Sequence, residues 1–308
     1  MLEVIFLGTG AAAPTAFRNL SSTAVIIDGE IALFDCGEGT QMQFKKAKLR
    51  PGKITRIFIS HFHGDHIFGL PGLLTSMQMA GCTQHVSIYG PAGIQDFLDF
   101  HSAFSSYRLA FDVTVHEVAE NSDNFELREG RFMIKAMALS HRIRCIGWSL
   151  SEMPRPGKFN ARQAEQLGVP NGALRRELQN GNSIHLNGRE IPAHLVIGPA
   201  RRGHSFAYCL DTAPCDAAVA LGRDADILVH DATFLDEEID AAKVSGHSTV
   251  SQAAEIARRA GAHRLALTHV SGRYAPGEYK SKVPVFESGF PAVFAANDLF
   301  RLKIEYAD

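Results

Sequence analysis

His61, His63, Asp65 and His66 fall within one six-residue segment, His61-Phe62-His63-Gly64-Asp65-His66. Three imidazoles and a carboxylate packed this closely are costly to bury, because each polar atom needs a partner. A divalent cation removes that cost, since neutral imidazole and carboxylate are both good ligands. A single histidine is more often a core or surface residue, but a cluster of this density points to metal chemistry. His141, Asp211, Asp231 and His269 each lie just past an apolar run that reads as a strand. Side chains at strand ends converge on one rim of a layered fold even when far apart in sequence. The candidate ligands are His61, His63, Asp65, His66, His141, Asp211 and His269. Seven nitrogen and oxygen donors exceed one tetrahedral ion and suit two, with one carboxylate shared.

The elements that must position these groups are readable from periodicity. The run Arg56-Ile-Phe-Ile-Ser60 predicts a buried strand, with Gly64 giving the following loop its backbone freedom. Glu3–Leu7, Thr23–Ile27 and Ile31–Phe34 predict further strands. Leu70, Leu73, Leu74 and Met77 recur at helical spacing, predicting a helix from near Gly69, and 91–106 reads as another. Phe132–Ala138, Ser205–Leu210, Asp226–Val229 and Leu265–Leu267 predict strands that run into Ser140-His141, Asp211-Thr212, His230-Asp231 and Thr268-His269. Thr249–Ala260 predicts a helix capped by Ser248 and closed by Gly261. Alternating strands and helices in both halves indicate a layered α/β architecture. Residues 154–203 differ, with Pro or Gly every few positions and little apolar periodicity. They read as an insertion with small elements of its own, splitting a single domain made of 1–153 and 204–308.

Composition narrows the class. The chain of 308 residues carries a net charge of −2, which argues against whole-molecule attraction to nucleic acid or anionic membrane. No apolar stretch is long enough to span a bilayer, and the N-terminus reads as a strand rather than a signal peptide. The five cysteines are scattered without a Cys-x-x-Cys pair, which fits reduced thiols and a cytoplasmic location. The insertion alone is unbalanced, with Arg155, Lys158, Arg162, Arg175, Arg176, Arg189, Arg201 and Arg202 against Glu165, Glu177 and Glu190. By itself that pattern is an ordinary solvated face.

Along nearly its whole length the sequence resembles the metallo-β-lactamase superfamily and, within it, the tRNA 3′-processing endoribonucleases (tRNase Z, or ribonuclease Z). The resemblance rests on Leu7-Gly-Thr-Gly-Ala-Ala-Ala-Pro-Thr15, Phe34-Asp-Cys-Gly-Glu-Gly-Thr-Gln41, His61–His66, Gly69-Leu-Pro-Gly-Leu-Leu74 and Tyr89-Gly-Pro91. It continues through Leu210-Asp-Thr212, His230-Asp-Ala-Thr-Phe234, Gly246-His-Ser-Thr249 and Thr268-His-Val-Ser-Gly-Arg-Tyr274. It implies a four-layer αββα sandwich with an inserted basic arm. It also implies one zinc held by His61, His63 and His141 and a second held by Asp65, His66 and His269, with Asp211 bridging. Manganese or iron would suit the same donors. Two cations about 3.5–4 Å apart can share a water, make hydroxide available near neutrality and stabilise charge on phosphorus.

The implied reaction is endonucleolytic removal of the 3′ trailer from precursor tRNA. His247 would serve the leaving 3′ oxygen, with Asp231 orienting its ring, although many relatives carry glutamate at that position. Arg273 would clamp a phosphate oxygen, and Asp65 would also guide the attacking water. Arg175, Arg176, Arg201 and Arg202 of the arm would grip the RNA backbone, reading shape rather than sequence. The resemblance further implies a homodimer in which one subunit's arm presents tRNA to the other. Three segments carry no such chemistry. Gly8-Thr-Gly10 lacks the third glycine of a dinucleotide loop, Asp35 reads as closing a turn, and Asn297-Asp298 departs from the family pattern. Two other readings are a superfamily hydrolase acting on a small phosphodiester, sulfate ester or lactone, and a non-catalytic RNA-binding scaffold. The complete ligand set weighs against the second. A di-iron redox role is disfavoured because His63 stands where such relatives usually carry glutamate.

Overall fold

The structure is a computed structural model that describes residues 1–105, 108–119, 124–275, 277–283 and 292–306. Its strands are β1 (Leu2–Gly8), β2 (Ser22–Ile27), β3 (Glu30–Phe34), β4 (Ile54–Phe58), β5 (Val86–Pro91), β6 (Val113–Val118), β7 (Asn124–Glu129), β8 (Phe132–Ala138) and β9 (Ile146–Glu152). They continue with β10 (Ile184–Leu186), β11 (Arg189–Ile191), β12 (Ser205–Cys209), β13 (Ile227–Asp231), β14 (Arg264–Thr268), β15 (Ala292–Ala295) and β16 (Arg301–Ile304). The helices are α1 (Thr40–Lys46), α2 (Gly64–Ile67), α3 (Leu70–Met79), α4 (Ile94–Phe104), α5 (Ala161–Gln166), α6 (Ala173–Gln179), α7 (Asp216–Leu221), α8 (Ile239–Ser245), α9 (Val250–Ala260) and α10 (Glu278–Ser281).

Met1–Ser151 and His204–Glu305 form one compact unit. It holds two seven-stranded mixed sheets, ordered β16-β1-β2-β3-β4-β5-β6 and β15-β14-β13-β12-β9-β8-β7. The layering follows from which residues alternate. Along β1, Leu2, Val4 and Phe6 face a central core that also contains Phe58, Ile134, Trp148, Phe206, Val229 and Ala266 from both sheets. Ile5 and Leu7 point the other way, into a cluster with Phe44, Leu70, Leu73, Met77 and Ile94 from α1, α3 and α4. On the second sheet, Leu228, Leu265 and Leu267 meet Ala218, Leu221, Ala253, Ile256 and Ala257 from α7 and α9. Three buried clusters between four layers are what a helix-sheet-sheet-helix sandwich requires, and period-two alternation puts both faces of each central strand in a core.

The cap of α9 differs from the sequence reading. The N-cap of α9 is Thr249 rather than Ser248. The Thr249 hydroxyl accepts from Gln252 N–H, and the Gln252 side chain accepts from Thr249 N–H in a capping box. The Ser248 hydroxyl instead donates to Thr212 O at 2.6 Å. A Cβ on Gly8 would stand 1.7 Å from Leu20 O, so glycine is needed for the close backbone approach.

The second unit, Glu152–Gly203 with Tyr306, has its own small core of Ala164, Val169, Leu178, Ile184, Ile191, Ala193 and Val196. It contains α5, α6 and the β10–β11 hairpin, whose turn residues Asn187 and Gly188 both have positive φ (52° and 73°), as a two-residue type I′ turn demands. Among the described residues no helix is long and apolar enough to cross a membrane.

Replacing Thr249 with Ala should lower unfolding free energy by about 1 kcal/mol, the usual worth of a helix N-cap. Denaturant titration of the purified variant is the measurement, and an unchanged midpoint would mean that α9 does not need this cap.

Candidate metal centre

The strands that carry the candidate residues end on the same side of their sheets because they run parallel. β3, β4 and β5 are mutually parallel in the first sheet, as are β12, β13, β14 and β15 in the second. His61 follows β4, His63 caps α2, and Asp65 and His66 lie within α2. His141 follows β8, and the backbone at Ser140 bridges to Ala213, two residues past Asp211. Asp211 and His269 follow β12 and β14 with φ of 51° and 60°, in the left-handed region that Asp and His tolerate better than most residues. At these two positions the chain turns sharply while the side chain stays over the rim.

The seven expected ligands come together in two groups. Nε2 of His61, Nδ1 of His63 and Nε2 of His141 face Oδ2 of Asp211. His61 Nε2 and His63 Nδ1 are 2.8 Å apart, and Asp211 Oδ2 lies 3.6 Å from His61 and 3.7 Å from His141. On the other side, Asp211 Oδ1 lies 3.1 Å from His66 Nε2 and 3.2 Å from His269 Nε2, and Asp65 Oδ2 lies 3.4 Å from each of those nitrogens. One carboxylate thus presents one oxygen to each group.

In His61, His66, His141 and His269 the ring nitrogen not aimed inward is engaged elsewhere, and this fixes the tautomer. His141 Nδ1–H donates to Gly246 O at 2.9 Å, His66 Nδ1–H to Asp35 Oδ2 at 2.6 Å, and His269 Nδ1–H to the Thr233 hydroxyl at 2.9 Å. His61 Nδ1 meets the Ser60 hydroxyl at 2.9 Å. The opposite nitrogens therefore present lone pairs to one another. His141 Nε2 and Asp211 Oδ1 are buried and make no hydrogen bond. Inward lone pairs and orphaned buried acceptors are what a cation-binding site leaves when described by its protein atoms alone, so the residues fit bound divalent ions.

Two further carboxylates stand behind the ligands. Asp35 (φ 55°), buried at the end of β3, accepts from Ser60 N–H (2.7 Å), the Ser60 hydroxyl (2.9 Å), His66 and the Tyr208 hydroxyl (3.1 Å). Asp231, the last residue of β13, accepts from Thr212 N–H (3.0 Å), Thr233 N–H (2.9 Å), the Thr233 hydroxyl (2.8 Å) and His247 Nδ1–H (2.6 Å). Asp231 also lies near Asp211, His247 and His269, a third possible grouping. Four donors already occupy its oxygens, so it orients neighbours rather than offering a ligand atom. Burial disfavours charge on His247, but Asp231 overrides it and raises the ring's pKa above the usual histidine value. Burial likewise pushes Asp231 up, and His247 pulls it below the ordinary carboxylate range. The two form a charged pair.

Beside these groups opens a cavity of 870 Å³ lined by His63, Asp65, Asp211, His247 and His269, and by Phe68, Arg142, Phe234 and Arg273. Asp65 Oδ2 is steadied by Ala12 N–H at 2.8 Å. Asp298 accepts from Thr9 N–H (3.0 Å), the Thr9 hydroxyl (2.7 Å) and Asn19 N–H (2.6 Å), anchoring the 9–19 loop that borders the cavity. Arg273 reaches the cavity wall, but its guanidinium is already paired with Glu238 and lies 4.7 Å over the Phe234 ring. In the second unit Arg176 and Arg202 are exposed, whereas Arg175 donates to Val169 O and Arg201 to Pro156 O, holding that unit's own backbone.

Sequence reasoning missed Asp35 and Thr233 as supports of the ligands, and Arg142 as a wall of the cavity. The sign for Asp35 was its place at the end of the strand beside the one that leads to His61. Thr233 lay within the quoted His230–Phe234 motif and was passed over.

Residues 2–104 match a family model described as anti-Pycsar protein Apyc1, and residues 176–270 match a beta-lactamase superfamily domain. The chain is 41% identical to a ribonuclease Z of Synechocystis, covering 98% of this chain and 94% of that protein. It is 39% identical to a ribonuclease Z of Methanosarcina acetivorans, covering 99% of both. The crystal structure of human tRNase Z, short form, superposes with a TM-score of 0.73 at 32% identity, covering 98% of this chain and 99% of that one.

Asp35→Asn and Thr233→Val each remove a support while leaving every inward-facing donor. Each should weaken divalent-cation affinity about 10- to 100-fold, measured by chelator competition against the unaltered protein. Unchanged affinity in both would mean that the rings orient themselves.

Proposed function

Because the chain belongs to the ribonuclease Z family of the metallo-β-lactamase superfamily, we propose that it is a metal-dependent endoribonuclease that removes the 3′ trailer from precursor tRNA. The observation that carries this reading is Asp211, one buried carboxylate aimed at two separate groups of nitrogen and oxygen donors beside an open cavity. His61, His63 and His141 would hold one zinc and Asp65, His66 and His269 the other, with Asp211 shared; manganese or iron fit the same donors. When bound, such a pair supplies a nucleophile at neutral pH and positive charge for the transition state at phosphorus.

The chain's own groups do the rest. Ala12 N–H steadies Asp65, which guides the attacking water. His247, held by Asp231 and raised in basicity, donates a proton to the leaving 3′ oxygen. Cleavage then leaves a 3′-hydroxyl on the tRNA and a 5′-phosphate on the trailer. Arg273 can take a phosphate oxygen only by exchanging it for Glu238. The inserted unit serves as the RNA-gripping arm, with Arg176 and Arg202 facing solvent and Arg175 and Arg201 also bracing the arm itself. A homodimer and a cytoplasmic setting complete the reading, the latter supported by five free thiols.

Mapping the cut on a precursor tRNA with a labelled trailer, with and without added zinc, tests the activity. A single zinc-dependent cut at the tRNA–trailer junction is expected, and an intact precursor under both conditions would overturn the proposal. His247→Ala should lower turnover on this substrate by about 10²- to 10⁴-fold with metal content unchanged. Equal turnover would remove its role as proton donor. The double variant Arg176→Ala/Arg202→Ala should weaken precursor binding and reduce the steepness of its salt dependence by about two contacts' worth. An unaltered salt slope would take the arm out of RNA binding.

A further inference from the structure

Phe68 is 62% exposed although it lies in the wall of the same cavity as His63, Asp65 and His247. Leaving a phenylalanine ring in water forgoes the stabilisation of burial. The backbone that carries it is nevertheless fixed by a helix end. Phe68 closes the single turn of α2, its N–H donating to Gly64 O at 3.0 Å, and a side chain four residues on covers the turn before it. Gly64 makes this possible. A Cβ at that position would stand 2.5 Å from the Phe68 ring, so any other residue there would push the ring aside. Gly64 thus seats an aromatic face beside the metal groups, between His63 and Asp65 in sequence.

We propose that Phe68 is a stacking platform for a nucleobase of the RNA next to the scissile phosphate, an inference that rests on the endoribonuclease reading above. The cavity is too large for a phosphate alone, and a phosphodiester at its ligand groups carries a base on either side. Every base has a π-face, so an exposed ring at this place orients the strand without selecting sequence. Among the cavity's other groups, Arg142 adds positive charge near His63, complementing the backbone that joins those bases. Phe68 acts by positioning, since it touches the substrate's base and no reacting atom.

The test is a cycle on the full-length protein, combining variants of Phe68 with precursor tRNAs lacking the base at one of the two nucleotides flanking the cut. Phe68→Ala should lower kcat/KM on the intact precursor about 10- to 100-fold. That loss should largely vanish on one of the two abasic precursors. Phe68→Tyr and Phe68→Trp should restore cleavage, while Phe68→Leu, which keeps apolar bulk without a π-face, should not. Metal content, measured alongside, is expected to stay constant in all four variants. The proposal is overturned if Phe68→Ala cleaves the intact precursor as well as the unaltered protein does, if its loss is the same on both abasic precursors, or if metal is lost with the ring. Failure of the unaltered protein to cut any precursor would instead strike the parent reading, so the two failures are distinguishable.

Discussion

One carboxylate sets the terms for this molecule. Asp211 is 2% exposed, and its two oxygens face different sets of ring nitrogens. Burial alone would drive its pKa up, yet the surrounding imidazoles, His269 and His66 foremost, hold it well below the ordinary carboxylate range. An anion in this position is tolerable only if positive charge stays near it, and taking an uncompensated charge out of water costs several kcal/mol. Asp35 and Asp231 are likewise buried, and Asp65 nearly so. Asp231 is offset by its charged partner His247, and the carboxylates of Asp35, Asp65 and Asp211 remain for bound cations to balance. The rim of the sandwich is therefore built for a cargo of positive charge, and cation binding contributes to its folding as well as to its chemistry.

The way each half of the sandwich meets this demand is the same. In the first sheet, β3 delivers Asp35 beside β4, which leads to His61 and His66. In the second, β13 delivers Asp231 beside β14, which leads to His269. In both, a buried acid from one parallel strand stands behind a histidine that follows the next. Parallel neighbours end on the same side of a sheet, so this pairing needs no long connection. Ser60 and Thr233 extend it, each donating its hydroxyl to the acid and meeting a ligand ring with its oxygen. The left-handed backbone at Asp35, Asp211 and His269 is the local cost, of order 1–3 kcal/mol each, and the packed sheets on either side sustain it.

Much of this is legible in the sequence. The strand positions follow from short apolar runs bounded by turn residues in β1, β13 and β14, and the density of histidine in 61–66 names the chemistry. What escaped the sequence depends on contacts between distant segments. Asp35 looked like a turn residue because its partners Ser60, His66 and Tyr208 are 25 to 173 positions away. The cap of α9 was placed one residue early because Ser248 and Thr249 are both good caps, and only the fold sends the Ser248 hydroxyl to Thr212 O. The 154–203 stretch, dense in Pro and Gly, hid a core of seven buried residues whose spacing is too irregular for either period. Arg273 read as a phosphate clamp, whereas Glu238, 35 positions earlier, already holds it.

Proximity to the ligands does not sort the acids; the number of donors aimed at each one does. Asp35 and Asp231 each accept four hydrogen bonds, with every oxygen of either acid engaged, and so they steer neighbouring rings. Asp211 Oδ1 accepts none although it is buried, and Asp65 takes a single backbone N–H. A carboxylate starved of donors in a dry interior is unstable unless an ion supplies what water cannot. Saturated acids support and starved acids bind. The histidines divide by the setting of the other nitrogen, since His247 and His141 both spend Nδ1, on Asp231 and on Gly246 O, but His247 stands beside the open cavity whereas His141 keeps Nε2 buried and unpartnered among the ligands. Hydrogen-bond saturation of the acids and the placement of the free ring nitrogens, both fixed by strand ends that only the folded chain brings together, therefore divide one crowded set of like residues into ligands, supports and a proton donor.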